Sequence, residues 1–442
     1  MKKLFLLFAA IMMASTTLWA ETKNVSYRYP VYNTKDDPAS GIKEWKTSEC
    51  TAIILTTSSD QVTLSEPWYV ITGTNVQCVK GIVIQDKVNL ILADGAKLTV
   101  KGNVNNAGIQ VSGEGNSLTI YGQDNQSGQL ITTGTSNAAG IGGGAMGNGS
   151  NITINGGAIT ATGGTYAAGI GGGASGHGSN IIINGGKVTA NGGTSAAGIG
   201  GGKAGNGSNI IINGGTVTAK GGDGDGDAGI GGGRPANIFI AKDCIIKADN
   251  NDPPTTAITN TGGDLASSLV GKRYVNIEID LNVLKDKAIA EINKAIEGVT
   301  DEDVHAIAEK AITDINNATS EGDINTIKEK ALVDIVKAKA IAEILSASQG
   351  IKDTEINSWI NAAINDIQRG SQDATPSIDD IKDQILTIIR YFQNGKAEGI
   401  ADANAALPSD AQDAAGHTVT ITKGEKTLKL VNPDKVTFGK QE

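Results

Sequence analysis

Three aspartates alternate with glycine in Gly222-Asp223-Gly224-Asp225-Gly226-Asp227, the one acidic cluster in the central part of this chain. Alternating carboxylates can chelate calcium through hard oxygen ligands, so Asp223, Asp225 and Asp227 are the candidate metal ligands, and calcium the one candidate cofactor. The familiar calcium loop has glycine at its sixth position and glutamate at its twelfth, where this chain has Ala228 and Arg234. A solvated loop insertion is therefore the default for this segment. His177, in Gly176-His177-Gly178, stands where Asn148 and Asn206 stand in neighbouring segments. These three loop residues are the candidate ligand contacts; exchange of one amide-like side chain for another at a turn is the bland alternative. No catalytic constellation is assigned. No Gly-x-Ser-x-Gly elbow occurs in a strand–turn–helix context, and His305 and His417 have no recognisable nucleophile nearby. Glycan hydrolysis needs paired carboxylates, and Asp86 and Asp94 read as turn residues.

The elements that must carry these residues are set by a repeat. Ala-Gly-Ile-Gly-Gly-Gly recurs with its isoleucine at Ile141, Ile170 and Ile199, and in altered form at Ile230, giving spacings of 29, 29 and 31 residues. A fixed period of that size marks a solenoid, in which each unit buries its apolar face against its neighbours. Within each unit Asn151-Ile152-Thr153-Ile154-Asn155 aligns with Asn180-Ile181-Ile182-Ile183-Asn184 and Asn209-Ile210-Ile211-Ile212-Asn213. A Gly-Gly turn and a second short strand follow, as in Ala158-Ile159-Thr160-Ala161. The period-two alternation predicts strands, three to a coil, all parallel. Ile152, Ile154 and their counterparts point inward, whereas Ile182 and Ile211 point outward. Asn155, Asn184 and Asn213 fall at one corner of successive coils, where stacked amides can bond along the column. Thr160, Thr189 and Thr218 make an outward column, but Thr162, Asn191 and Lys220 break the second row that an ice-binding array needs. Trp45, Trp68 and Tyr69 are placed to cover the open amino end of the coil, as an exposed core and strand edge require.

Residues 49–245, with Trp68-Tyr69-Val70, Val88-Asn89-Leu90-Ile91-Leu92-Ala93-Asp94-Gly95, Asn116-Ser117-Leu118-Thr119-Ile120-Tyr121-Gly122 and the Ala-Gly-Ile-Gly-Gly-Gly coils, resemble exported β-helix proteins of gut bacteria. Such proteins are often described as carbohydrate-binding or adhesin-like. The resemblance implies a right-handed parallel β-helix and a surface location, and it carries no catalytic residues to transfer.

From about Leu281 glycine nearly vanishes and Ala, Ile, Lys, Glu and Asp take over. Lys287-Ala288-Ile289-Ala290-Glu291-Ile292 returns as Lys339-Ala340-Ile341-Ala342-Glu343-Ile344, an offset of 52 residues. The apolar spacing is helical. It predicts helices near 282–297, 302–318 and 322–348, with the last shared between two three-helix units. Asp301, Asp323 and Ser377 are the expected N-caps. This module resembles the short three-helix repeats of bacterial wall adhesins.

The chain opens with Met1-Lys2-Lys3, an apolar run and Thr17-Leu18-Trp19-Ala20, the pattern of a secretory signal peptide. The net charge of −10 disfavours nucleic acid as a partner, and no later segment is long and apolar enough to be transmembrane. Cys50, Cys78 and Cys244 lack metal-site spacing, and pairing of Cys50 with Cys78 stays open.

The expected organisation is multidomain β plus α. A signal peptide (1–20) precedes an N-terminal cap segment (21–48) and a parallel β-helix (49–280). A helical repeat domain (281–406) forms a three-helix-bundle array, followed by a short β tail (407–442). The expected function is that of a non-catalytic exported protein, secreted, periplasmic or at the cell surface, with a structural or adhesive role. Its expected partners are glycans or host or bacterial surface proteins, with weak carbohydrate binding through the solenoid loops. The alternatives are a polysaccharide lyase or glycoside hydrolase-like β-helix enzyme, and a dedicated glycan-binding module.

Overall fold

The computed structural model describes residues 21–224, 228–260, 262–370, 376–393, 417–423 and 426–432. The expected signal peptide, the aspartates 225 and 227, and residues 394–406 lie outside them. The chain divides into two compact units between Asp280 and Leu281.

The first unit is a parallel β-helix. Its coils cycle through three sheets, as in Gly149–Ile154, Ala158–Thr162 and Ile170–Gly171, then Gly178–Ile183, Lys187–Asn191 and Ile199–Gly200. The repeat aligns in register. Ile141, Ile170, Ile199 and Ile230 pair in one column, so the two extra residues fall between Lys220 and Ile230 without disturbing the register. Ile152, Ile181 and Ile210 pair in a second column and Ile159, Val188 and Val217 in a third. All of these are essentially inaccessible, and each fully buried isoleucine contributes about 1.5–3 kcal/mol.

Glycine is obligatory at the sheet-to-loop corner. Gly142, Gly171 and Gly200 have φ of +134°, +131° and +132°. A Cβ at Gly171 would sit 2.0 Å from the Gly200 carbonyl oxygen of the next coil.

Not every strand is parallel. At the carboxyl end, Tyr274–Ile279 runs antiparallel to Thr216–Lys220, and Cys244–Asp249 and then Ala257–Ile258 extend the same sheet antiparallel. This reversal finishes the solenoid. The segment between 244 and 279 lacks the repeat, so it has no parallel register to continue. Leu265 and Leu269 of a short helical turn, Ala266–Leu269, are buried against the core there. The edge strand Ala236–Ile240 is covered by Asp264, whose carboxylate accepts from the backbone N–H groups of Asn237, Ile238 and Ala266. Covering an open edge in this way removes a template for aggregation.

The amino end also departs from expectation. Residues 21–48 do not cap the coil. Thr22–Thr34 and Asp37–Ile54 form a long antiparallel hairpin, of which only Ile53 and Ile54 pair with the first coil, at Tyr69 and Val70. The rest lies along the flank of the solenoid. Trp68, expected as a cap, points outward by alternation and packs with Tyr27 and Tyr121, at ring-centroid distances of 4.6 and 5.5 Å. Tyr69 lies in the core, and the Trp45 ring lies against Gly185, several coils along. The reason is the apolar flank: Val70 and Ile91 face outward in register and are fully buried beneath Val25 and Ala52 of the hairpin. Cys50 belongs to this outer cluster and Cys78 to the core, and they are not bonded to each other.

The second unit contains the helices Leu281–Ala295, Glu302–Asn317, Glu321–Ala347, Thr354–Arg369 and Ile378–Gln393. Glu302–Asn317 and Thr354–Arg369 keep the repeat offset at both ends. The long helix is shared: Ile324, Ala331 and Ile335 pack with the first two helices, Ala340 and Ile344 with the last two. Asp301 caps its helix by accepting from Val304 N at 3.1 Å, and Ser377 and Asp380 form a reciprocal capping box. Asp323 is not a cap. Ser320 takes that place, accepting from Asp323 N, while the Asp323 carboxylate accepts the Ser320 hydroxyl. A serine three residues before an acid is the capping-box pattern, and it outcompetes the acid alone. In the tail, His417–Lys423 and Lys426–Asn432 pair as an antiparallel hairpin.

Candidate functional site

The surface most capable of recognition in a solenoid is the set of side chains that repeat along its outside. Three polar columns occupy one side of these coils, and each is built by the same step of 29 residues.

The first column is the expected one. One residue beyond the paired Ile120 and Ile154, the outward row of sheet residues Val70, Ile91 and Tyr121 continues as Asn155, Asn184 and Asn213. Asn184 Nδ2 donates to Asn155 Oδ1 at 2.8 Å, and Asn213 Nδ2 to Asn184 Oδ1 at 2.9 Å. The hairpin closes over this column. Asn184 Nδ2 also donates to the Tyr32 hydroxyl at 2.9 Å, and Asn213 Nδ2 to the Pro38 carbonyl at 3.0 Å. Burial pushes the Tyr32 phenol above its ordinary pKa, and the bond from Asn184 draws it partly back. Burial likewise raises Tyr121 strongly, with Tyr27, Tyr32 and Cys50 adding to the effect.

The second column was not foreseen. Asn151, Asn180 and Asn209 have φ of 58°, 52° and 51°, a left-handed conformation that asparagine tolerates better than other side chains. Asn180 Nδ2 donates to Asn151 Oδ1 at 3.0 Å and Asn209 Nδ2 to Asn180 Oδ1 at 2.7 Å. The signal was the conserved spacing of a second asparagine four residues before the first.

The third column contains the candidate ligand residues. Asn148 Oδ1 accepts from His177 N at 2.8 Å, His177 Nδ1 from Asn206 N at 3.0 Å, and Asn206 Oδ1 from Arg234 N at 3.0 Å. The structure brings Asn148, His177 and Asn206 into one column, as their positions in the repeat require. It commits their acceptors to the backbone of the next coil. The common requirement is an acceptor at one height, which imidazole Nδ1 and amide Oδ1 both meet; this explains why histidine replaces asparagine at 177.

Of the candidate calcium ligands, Asp223 forms an ion pair with Arg273 at 3.3 Å. A guanidinium beside the carboxylate does not suit a divalent cation, and Asp225 and Asp227 lie outside the described residues. Among the described residues no group of three or more His, Cys, Asp or Glu side chains is placed to hold a metal ion. Asp94 works as a turn residue between coils. It accepts from Ser127 N and Ser127 Oγ, each at 3.0 Å, and from Asn125 N at 3.1 Å.

A different feature lies on the outer face of the second sheet, where the antiparallel strands end the coil. A cleft of about 410 Å³ is lined by Thr216, Thr218, Ile245, Lys247, Pro253–Thr255, Asn276 and Glu278. Nothing in the repeat points to it, because two of its strands come from outside the repeat.

A family model described as a beta helix repeat matches residues 152–174, 181–203 and 210–234. No curated protein matches the chain, and no solved structure does. Register, sheet order and the family match together define a parallel β-helix repeat protein with an appended helical module. No helix among the described residues is long and apolar enough to cross a membrane.

Proposed function

We propose that this is a non-catalytic exported protein with a structural and adhesive role at a bacterial surface. One observation carries the proposal: the repeating polar side chains are spent on the solenoid itself. The Asn155, Asn151 and Asn148 columns each bond coil to coil. The carboxylates of Asp94, Asp249 and Asp264 accept backbone N–H groups instead of lining a groove as a catalytic pair. Such a rod holds its shape along its length, which suits display of a binding surface or spacing of one module from another. The amino-terminal pattern of residues 1–20 supports export, and the helical array supports a spacer or protein-contact role.

The test is direct. Purified protein is incubated with neutral and acidic polysaccharides while reducing ends and unsaturated products are followed, and in parallel its retention by bacterial and host cells is measured. Retention without depolymerisation is expected. Depolymerisation that an aspartate substitution abolishes overturns the proposal in favour of a β-helix lyase or hydrolase. Amino-terminal sequencing of the exported protein is expected to begin at Glu21.

A further inference from the structure

The third sheet of the solenoid is its narrowest, two residues to a strand in Ile141–Gly142, Ile170–Gly171 and Ile199–Gly200. The loops before and after it therefore stand side by side as one edge. Backbone bonds tie the two loop rows together: Ala145 N donates to the Asn105 carbonyl, Ala174 N to Asn137 and Lys203 N to Tyr166.

This edge carries the apolar side chains that the coils leave outside. Among the described residues of the first unit six large apolar side chains are exposed, and four of them stand in these loops: Val79, Val104, Met146 and Tyr166. A fifth, Val270, is two residues before Lys272, whose carbonyl accepts from Gly229 N in the last of the loops. Val104 and Met146 are the most exposed, at 78% and 79%, and each is next in sequence to one end of the bond between Asn105 and Ala145. From Val79 to that last loop the row climbs five coils, about 24 Å.

The coil does not need these side chains. Ser175 and Ala204 stand where Met146 stands, and Asn137 and Ser195 where Tyr166 stands. Met146 also has φ of +57°, a left-handed conformation that suits glycine or asparagine better than a long side chain. A large apolar group held in water at a costly position, with no packing in return, points to a surface that covers it.

The charge along the row narrows the partner. Lys101, Lys203 and Arg234 are exposed beside it, and Lys203 Nζ lies 4.6 Å from the centroid of the Tyr166 ring. Although the chain has a net charge of −10, loops 134–140, 143–148, 163–169, 172–177, 192–198 and 201–206 contain no acidic residue. Glu66, Asp86 and Glu114 lie in loops before this stretch, and Asp223, in the loop after it, is paired with Arg273. Apolar tips set singly along a ridge, between basic side chains, suit a soft anionic interface better than a shaped protein pocket. Binding to such an interface grows with the apolar area inserted and with attraction to acidic headgroups. The bonds between coils already hold the tips in line, so docking has little backbone left to order.

We propose that this edge docks on an anionic lipid surface, with Val104, Met146 and Tyr166 entering the headgroup layer and Lys101, Lys203 and Arg234 meeting lipid phosphates. Such docking holds the chain at a membrane without a spanning segment, and it stands or falls apart from the adhesive reading.

The test is co-sedimentation of residues 21–442, without the apolar amino-terminal run that would itself enter lipid. The probes are phosphatidylcholine vesicles with and without about one third phosphatidylglycerol. Binding to the anionic vesicles is expected, and is expected to fall about tenfold or more as salt rises from about 0.1 M to about 1 M. Val104→Ser with Met146→Ser is expected to weaken it by about tenfold or more at low salt, with an unchanged unfolding midpoint. Should that pair not fold, Met146→Ser with Tyr166→Ser reads the same edge, since the repeat already places serine at both positions, in Ser175 and Ser195. Absence of binding to the anionic vesicles overturns the proposal, as does binding that a folded serine variant leaves unchanged. Self-association abolished by the same variant, with no vesicle binding, overturns it in favour of a contact between copies of this chain; sedimentation velocity reads that outcome.

Discussion

The hydroxyl of Tyr32 accepts a hydrogen bond from Asn184 Nδ2 at 2.9 Å, joining residues 152 positions apart in sequence. The other Nδ2 hydrogen goes to Asn155, and Asn184 Oδ1 accepts from Asn213. Asn184 thus joins the amide column to the amino-terminal hairpin through one buried side chain, as Asn213 does one coil along through the Pro38 carbonyl. Its environment turns a surface hairpin into part of the solenoid.

Asn184→Leu is expected to cost about 2–4 kcal/mol, since it takes the donor from Asn155 Oδ1, the acceptor from one of the two Asn213 Nδ2 bonds, and the donor to Tyr32 under the hairpin. Denaturant unfolding measures this. A change within a few tenths of a kcal/mol would show that the column contributes nothing net.

Removing residues 21–48 is expected to expose Val70, Ile91, Trp68 and Tyr121 together, an apolar flank that binds hydrophobic dyes and promotes self-association. Light scattering and dye fluorescence report it. A monomeric truncated chain with no added dye binding would mean that the hairpin is dispensable. Trp68→Ala in the full chain is expected to cost about 2 kcal/mol by loss of the Tyr27 and Tyr121 contacts.

Gly171→Ala is expected to prevent the coil from closing, because both the positive φ and the 2.0 Å approach to Gly200 oppose a Cβ. The cost is about 3 kcal/mol or more, seen as loss of β-sheet circular dichroism or of soluble protein. Gly95→Ala is the contrast: its φ is +75° but its Cβ would meet nothing within 4 Å, so only the smaller backbone strain is expected.

Two half-buried phenols, Tyr32 of the hairpin and Tyr121 of the solenoid strand beneath it, make this contact alkali-sensitive. Their folded pKa values lie above the ordinary value of 10.0, so the native state holds their protons more tightly than the unfolded chain. Their contribution is therefore fully present below about pH 10 and is lost as pH rises through the folded values. Tyrosinate absorbance during an alkaline titration should show a late phase that Tyr32→Phe reduces. Uniform titration of all tyrosines at the ordinary value would contradict the burial.

Asp249 gives the opposite sign. Backbone N–H groups of Thr255 and Asn251, with Thr256, hold its carboxyl well below the usual carboxylate range. That contribution is present above about pH 4 and lost as pH falls toward the folded value. Hydrogen exchange at residues 250–256 is expected to accelerate in Asp249→Ala at neutral pH, and in the parent only in strong acid. Equal protection in both would remove the role assigned to the carboxylate.

The repeat was legible because its physics is local. Isoleucine at every second position, Gly-Gly turns and a 29-residue step fix the strands and the direction in which Ile152, Ile181 and Ile210 point. The Asn155 column follows from the same count, as does the shared helix Glu321–Ala347 from the second repeat. The sequence alone therefore determined a parallel β-helix core and a helical array. What it did not determine lies where residues distant in sequence meet. Sequence placed Trp68 at the open amino end as a cap, and only the fold shows it on the flank with Tyr27 against it and Ile91 beneath Val25. Equivalence in the repeat groups Asn148 with His177 but does not show their acceptors committed to the next coil. Asn276 meets Thr218 only because the last strands reverse direction, a pairing between segments with no common repeat. Burial of a polar or aromatic group is a property of its neighbours in space, and here only the tertiary structure supplied those neighbours.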